Sequence, residues 1–133
     1  MNQDLAVLQA VRNALIADGL TVYDGTAPQG ESMPYVTIGR IVCNTNDTDN
    51  TTGFNATMTI HAWSDKRGRL EASTMQKTIY DALHRQDYMS LPFGYEMIGI
   101  DQEFSEVMVD PDGITRHGVQ QFNVLFDKPE TAS

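Results

Sequence analysis

Between Phe54 and Trp63 the chain alternates without a break. Phe54, Ala56, Met58, Ile60 and Ala62 occupy one set of positions, and Asn55, Thr57, Thr59, His61 and Trp63 the other. Successive side chains of a strand point to opposite faces, so this pattern is a strand with an apolar face to cover and a largely polar one to spare. The stretch before it, Tyr35 to Cys43, is β-branched and aromatic and predicts a second strand. The segment between them, NTNDTDNTTG at 44–53, is wholly polar. Together these predict a long hairpin with a mobile polar tip.

The remaining elements follow from periodicity and turn chemistry. Leu5, Leu8, Val11 and Leu15 recur at spacings of three and four, and Val7, Ala14 and Ile16 widen the stripe, which predicts a helix over about 3–18. Gly19 stands where a helix C-terminus favours glycine. A short strand is expected at Leu20–Asp24, and GTAPQGESMP (25–34) is a loop. A second helix is expected over about 67–85, buried through Ala72, Met75, Ile79, Ala82 and Leu83, with Tyr80 beside that stripe. Tyr95–Val109 predicts a strand or a bulged pair of strands, with Met97, Ile98, Ile100, Phe104, Val107 and Val109 available for burial. Asp110-Pro111-Asp112-Gly113 is a turn, and a last strand follows over about 114–126. The order α-β-β-β-α-β-β implies an α+β fold: a mainly antiparallel sheet of four to five strands with two helices packed on one face. No repeat or composition shift divides the chain, so 1–133 is expected to form one domain, with a flexible tail at about 127–133.

Charge narrows the functions open to it. The net charge is −9, and residues 87–133 hold nine acids against two bases, Arg116 and Lys128. A nucleic-acid-wrapping surface needs clustered Lys and Arg, and this composition opposes one. Cys43 is the only cysteine, which excludes an internal disulfide and predicts a buried, inert thiol. No run approaches the 18 apolar residues of a membrane span. MNQDLAVLQAVRNAL has an early acid and no basic region, so it reads as a mature N-terminus and not as a signal peptide.

Motifs for chemistry are weak. Asp47 and Asp49 resemble the start of a calcium loop, but Thr52 stands where the turn glycine belongs and Met58 where the bidentate Glu belongs. Three matches to the glycosylation sequon, at Asn46, Asn50 and Asn55, carry little weight without a secretion signal. Asp101 and Glu103 share a strand face in an acidic stretch with Glu106, a solvated pattern more than an acid/base pair. His61, His84 and His117 lack metal-ligand spacing, and no nucleophile elbow or phosphate loop occurs. No catalytic, cofactor or metal residue is therefore assigned. In HAWSDKRGRLEAS (61–73), Ser64 and Asp65 are candidate N-caps for the second helix. Lys66, Arg67 and Arg69 oppose that helix's dipole, which hints at an intermolecular contact.

Taken in order, LQAVRNAL, VYDGTAP, MPYVTIG, HAWSDKRGRLEAS, TMQKTIYDAL and DGITRHGVQQFNV resemble the tail-completion proteins of long-tailed bacteriophages and prophages, a group that includes tail terminators and tail-to-head joining proteins. The resemblance spans about residues 4–126, and its most specific marks are Pro34-Tyr35, Trp63-Ser64 with Gly68 and Glu71-Ala72, and Arg116-His117-Gly118. It implies a structural, non-enzymatic protein without cofactors, located in the virion at the head–tail interface and in the host cytoplasm during assembly. It implies a ring, typically a hexamer, that caps the tail tube, ends its growth and joins the head connector. The implied partners are further copies of the chain, the tube protein and the connector protein, with DNA passing without specific binding and no membrane involved. Asp47, Asp49, Asn50, Lys66, Arg67 and Arg69 are the candidate subunit or tube contacts. The competing reading is a monomeric protein-binding adaptor of similar fold, and an enzyme with an unrecognised site is a third.

Overall fold

The computed structural model describes residues 3–45, 51–86 and 89–129, apart from the side chain of Thr51. The elements are α1 (Gln3–Ala17), β1 (Val22–Asp24), β2 (Tyr35–Thr45), β3 (Thr51–Ser64), α2 (Leu70–Leu83), β4 (Glu96–Val109) and β5 (Arg116–Pro129). One five-stranded sheet has the order β1-β2-β3-β5-β4. All pairings are antiparallel except β1 with β2, so the sheet is mixed. The α+β expectation and its element order hold.

β3 is central and pairs with β5 over its whole length, from Thr51↔Pro129 to Ser64↔Arg116. Its alternation sorts the molecule. Phe54, Ala56, Met58, Ile60 and Ala62 are buried with Phe122, Val124 and Phe126 of β5, Val36 and Ile38 of β2, and the inner residues of both helices. Each large apolar side chain so buried contributes about 1.5–3 kcal/mol against the entropy of ordering the chain. Phe54, Phe126 and Tyr95 form an aromatic knot, with Phe54 stacked on Phe126 at 5.2 Å and Tyr95 edge-on to both at 5.6 Å.

Local details depart from the sequence reading for definable reasons. α1 buries Ala6, Val7, Ala10, Val11 and Leu15, while Leu5 is 49% exposed and Ile16 is exposed as well. Ala6 and Ala10 belong to the buried stripe, which is therefore offset from Leu5. The Gly19 expectation holds: with φ +88, its N–H donates to Ile16 O and the Leu20 N–H to Leu15 O, the paired bonds of a Schellman end. β2 and β3 extend into the polar segment, to Thr45 and from Thr51, because ladder pairing continues where polar side chains face water. β5 runs to Pro129 because β3 still pairs with it there, three residues beyond the expected end at 126. β4 carries two bulges, at Met97/Gly99 and Gln102/Phe104. Of its six apolar candidates only Ile100 is fully buried, and Ile98, Phe104 and Val109 are exposed, because β4 is an edge strand that the helices only partly cover.

α2 differs most. It starts at Leu70, not about 67, and its N-cap residue is Arg69 with no side-chain cap. Ser64 and Asp65 are therefore not its caps: a turn with Gly68 at φ +79 intervenes. Ser64 instead ends β3, fully buried; its hydroxyl donates to Glu71 Oε1 (2.6 Å) and accepts from the Lys66 N–H (3.2 Å), tying strand, turn and helix together. On the inner side of α2, Gln76 is buried beside Met75, a position outside the expected apolar stripe. It lies across Gly118, where an added Cβ would come within 2.6 Å of its Nε2.

Replacing Phe122, which is fully buried, with Ala is expected to lower stability by about 3–5 kcal/mol. Leu70→Ala, at a position 79% exposed, should stay within about 0.5 kcal/mol. Urea unfolding followed by circular dichroism measures both; equal effects would contradict the assignment of the core.

Candidate assembly surfaces

Three surfaces lie outside the core. The first is the turn of residues 65–69, all exposed, which brings Lys66, Arg67 and Arg69 together around Gly68. Arg67 reaches a shallow cavity of about 230 Å³ that it shares with Asp65, Gly113, Ile114 and Arg116. The basic turn thus meets the β4–β5 turn and gains a fourth cation. That second turn is rigidly built: the Asp112 carboxylate accepts from the N–H groups of Ile114 and Thr115 at 2.8 Å and from Thr115 Oγ1 at 2.6 Å. These bonds hold the Asp112 carboxyl below its usual range, the Thr115 hydroxyl contributing most. Lys66, Arg67 and Arg69 take part in no ion pair among the described residues. Asp47, Asp49 and Asn50 lie outside the described residues.

The second surface is the helix-free face of the sheet. Register sets its rows: Tyr35, Trp63, His117 and Met108 lie side by side across β2, β3, β5 and β4, and Thr37, His61, Val119 and Glu106 form the next row. Trp63 stacks flat on His117, with centroids 3.9 Å apart and planes 12° apart. Its indole N–H donates to Thr37 Oγ1 at 3.0 Å. His61 Nδ1 lies 2.7 Å from His117 Nε2, and Asp110 Oδ1 lies 3.6 Å from His117 Nδ1. In the tautomer with the proton of neutral His117 on Nδ1, toward the Asp110 carboxylate, His117 Nε2 accepts and His61 Nδ1 donates. The ring of His61 lies over Gly39, where an added Cβ would fall 2.8 Å from Nε2. Burial lowers the affinity of both imidazoles for protons; His117 lowers it further at His61, whereas Asp110 partly offsets it at His117.

Sequence spacing could not find this cluster, since His61 and His117 are 56 residues apart. Only the pairing of β3 with β5 joins them. Among the described residues, no group of three or more His, Cys, Asp or Glu side chains is placed to hold a metal ion. The third surface is the acidic side of β4. Asp101, Glu103 and Glu106 are exposed; Arg85 approaches Asp101 at 3.7 Å, and Glu103 accepts from Gln121 at 3.0 Å. Cys43 is half-buried rather than buried, and its thiol is pushed up by burial and then by Asp4. No described helix is long and apolar enough to cross a membrane.

These surfaces offer charge, stacked rings and open strand edge. A family model described as tail completion protein gp17 matches residues 3–127. A chain in the virion of a native gene transfer agent particle is 22% identical, with 94% of each chain covered and a TM-score of 0.76. The gp17 protein of bacteriophage SPP1 is also 22% identical, with 89% of each chain covered and a TM-score of 0.49. No curated protein matches the chain.

The histidine cluster makes a signed prediction. Both imidazoles bind protons more weakly in the folded state than in the unfolded chain, where the ordinary value is about 6.5. Their contribution to stability is therefore complete above that value and is lost as pH falls below it. Asp112, also lowered, loses its contribution only below about pH 4. Thermal midpoints should fall between about pH 7 and 5, and the double variant His61→Gln/His117→Gln should flatten that interval. An unchanged slope in the double variant would assign the pH dependence elsewhere.

Proposed function

The chain belongs to the tail completion protein gp17 family, and from that membership we propose that it caps the end of a tail tube, ends tube growth and forms the surface that joins the head. The observation that carries this reading is the family match over residues 3–127, nearly the whole chain. The work is structural: the protein supplies surfaces and positions partners, and catalyses no reaction. Its site is the virion, at the junction of head and tail, and it is made in the host cytoplasm. The tube protein and the head connector are its neighbours, and DNA passes without specific binding.

The working form is a ring, a hexamer by analogy with the family. A ring needs two different surfaces on each copy, because only head-to-tail contacts close by rotation. The basic turn of Lys66, Arg67 and Arg69 supports this arrangement as one surface, and the acids of the C-terminal half support it as the other. An acidic excess of nine to two in residues 87–133 also suits a surface that DNA must slide past.

Particles made without the protein are expected to show overlong tails or tails not joined to heads by electron microscopy. Normal virions in its absence would sink the capping role and favour a monomeric adaptor. Lys66→Glu/Arg67→Glu/Arg69→Glu should weaken the ring, read as loss of oligomer from tube-bound complexes by native mass spectrometry. An unchanged oligomer would remove the turn from the contact.

A further inference from the structure

β4 forms one edge of the sheet, and its two halves differ. At its first half, Arg85, in a left-handed conformation with φ +59, donates its N–H to Ile100 O at 2.6 Å. The Gln102 N–H donates to His84 Nδ1 at 3.0 Å. The end of α2 thus takes the place of a neighbouring strand. Beyond Gln102 that cover stops: Glu103 to Glu106, Met108 and Val109 are all exposed. A long uncovered edge is a ready template for association.

Beside this second half, between β4 and α2, runs a groove of about 480 Å³ lined by Gln76, Tyr80, Gln102, Ser105 and Gln120 among others. Gln120 of β5 is one of its lining residues. Gln120 is 1% exposed; its Nε2 donates to Gln76 O at 3.0 Å and to Gln102 Oε1 at 2.8 Å, while its Oε1 has no donor among the described residues. Turning the amide over would set oxygen against the Gln76 carbonyl, so the orientation is fixed. A buried carbonyl left without a donor is destabilising. Along the same strand, Asp101, Glu103 and Glu106 present carboxylates to water.

We propose that this half of β4 and the groove beside it receive the basic turn Lys66–Arg69 of a second copy of the chain. The match is one of charge and of hydrogen-bonding sense. The turn carries three cations in four positions, all of them donors without acceptor capacity. This half of the strand carries the exposed carboxylates of Glu103 and Glu106, with Glu106 on its helix-free side and the groove on its helix side. Apolar surface accompanies both: Leu70 beside the turn, Phe104 and Met108 beside the acids. Pairing of β4 with another β4 would instead face Glu103 and Glu106 with like charges, which disfavours that arrangement. Donor turn and acceptor edge lie at different places on one chain, so the contact repeats head to tail. This inference rests on the ring reading and adds to it the receiving site.

The test uses purified tail tubes lacking the protein, with capped ends counted by electron microscopy as protein is added. Glu103→Lys/Glu106→Lys is expected to raise the concentration for half-capping about tenfold or more, as like-charge juxtaposition at an interface does. The triple reversal at Lys66, Arg67 and Arg69 should do the same, and the two sets combined should return capping to within about threefold of wild type. Ser105→Arg, which fills the groove, should lower capping while leaving the monomer's melting temperature intact. Normal capping by Glu103→Lys/Glu106→Lys or by Ser105→Arg, or a combined variant as weak as its parents, overturns the receiving site. Wild-type protein that leaves tube ends bare overturns instead the capping role on which the inference rests.

Discussion

The fold depends on the ladder between β3 and β5. Fourteen consecutive partners, Thr51↔Pro129 through Ser64↔Arg116, run without a register shift, whereas the flanking pairings β2–β3 and β4–β5 are both bulged. Because the side-chain period is two, this register decides which residues meet the helices and which do not. A slip of one residue would send Met58, Ile60 and Phe122 toward water and Trp63, His61 and His117 into the core. The irregularities are pushed outward, to strands whose partners on the other side are few or absent. β2 bulges next to Gly39, which lets the His61 ring lie flat on the backbone, and β4 bulges where it leaves the cover of α2.

The polar contacts that fix α2 follow from the same ladder. Gly118, opposite Ala62, leaves room for Gln76 to lie on β5 and donate to Glu106 O at 3.0 Å. Gln120, two residues on, faces the same side and donates back to the helix backbone. The helix is thus pinned by amide hydrogen bonds along the flank where its apolar stripe runs out. Such a network can be fully satisfied or costly, and here one carbonyl is left over. The leftover group belongs to a buried residue of β5 on the helix-covered face, and Glu106 of the neighbouring edge strand stands on the opposite face.

Much of this was legible in the sequence. Alternation between Phe54 and Trp63 located the central strand, and Asp110-Pro-Asp-Gly located the turn, because both are local rules with few competing outcomes. The offset of α1 was not legible: Leu5 and Ile16 are as apolar as Val7 and Val11, and only packing against the sheet, with Ala6 and Ala10 on the buried side, chooses between them. Ser64 and Asp65 match the composition of a cap, but Gly68 turns the chain first, and the hydroxyl of Ser64 is claimed by Glu71 seven residues on. Gln76, Gln120 and the His61–His117 pair carry no local signal, since their partners are set by strand register over distances of 44 and 56 residues. The candidate assembly surfaces were legible only as charge. Lys66, Arg67 and Arg69 stand out within an acidic chain, but the strand that could receive them is defined by what α2 fails to cover.

That last point bears on why an assembly protein keeps such an edge at all. An exposed strand with free backbone groups invites unspecific pairing, and proteins usually blunt it with charge, bulges or a covering element. β4 uses all three, but unequally along its length: the end of α2 seals Ile100 and Gln102, a bulge follows at once, and carboxylates line the remainder. The sealing element and the bulge act against any partner. The carboxylates act only against acidic ones, and in a chain of net charge −9 those include most surfaces of its own copies. The exception is the four-residue turn that holds three of the chain's nine basic residues. In the proposed ring, charge on this edge therefore works as a filter more than a barrier, excluding self-pairing of β4 while leaving open an approach by the cationic turn of another copy.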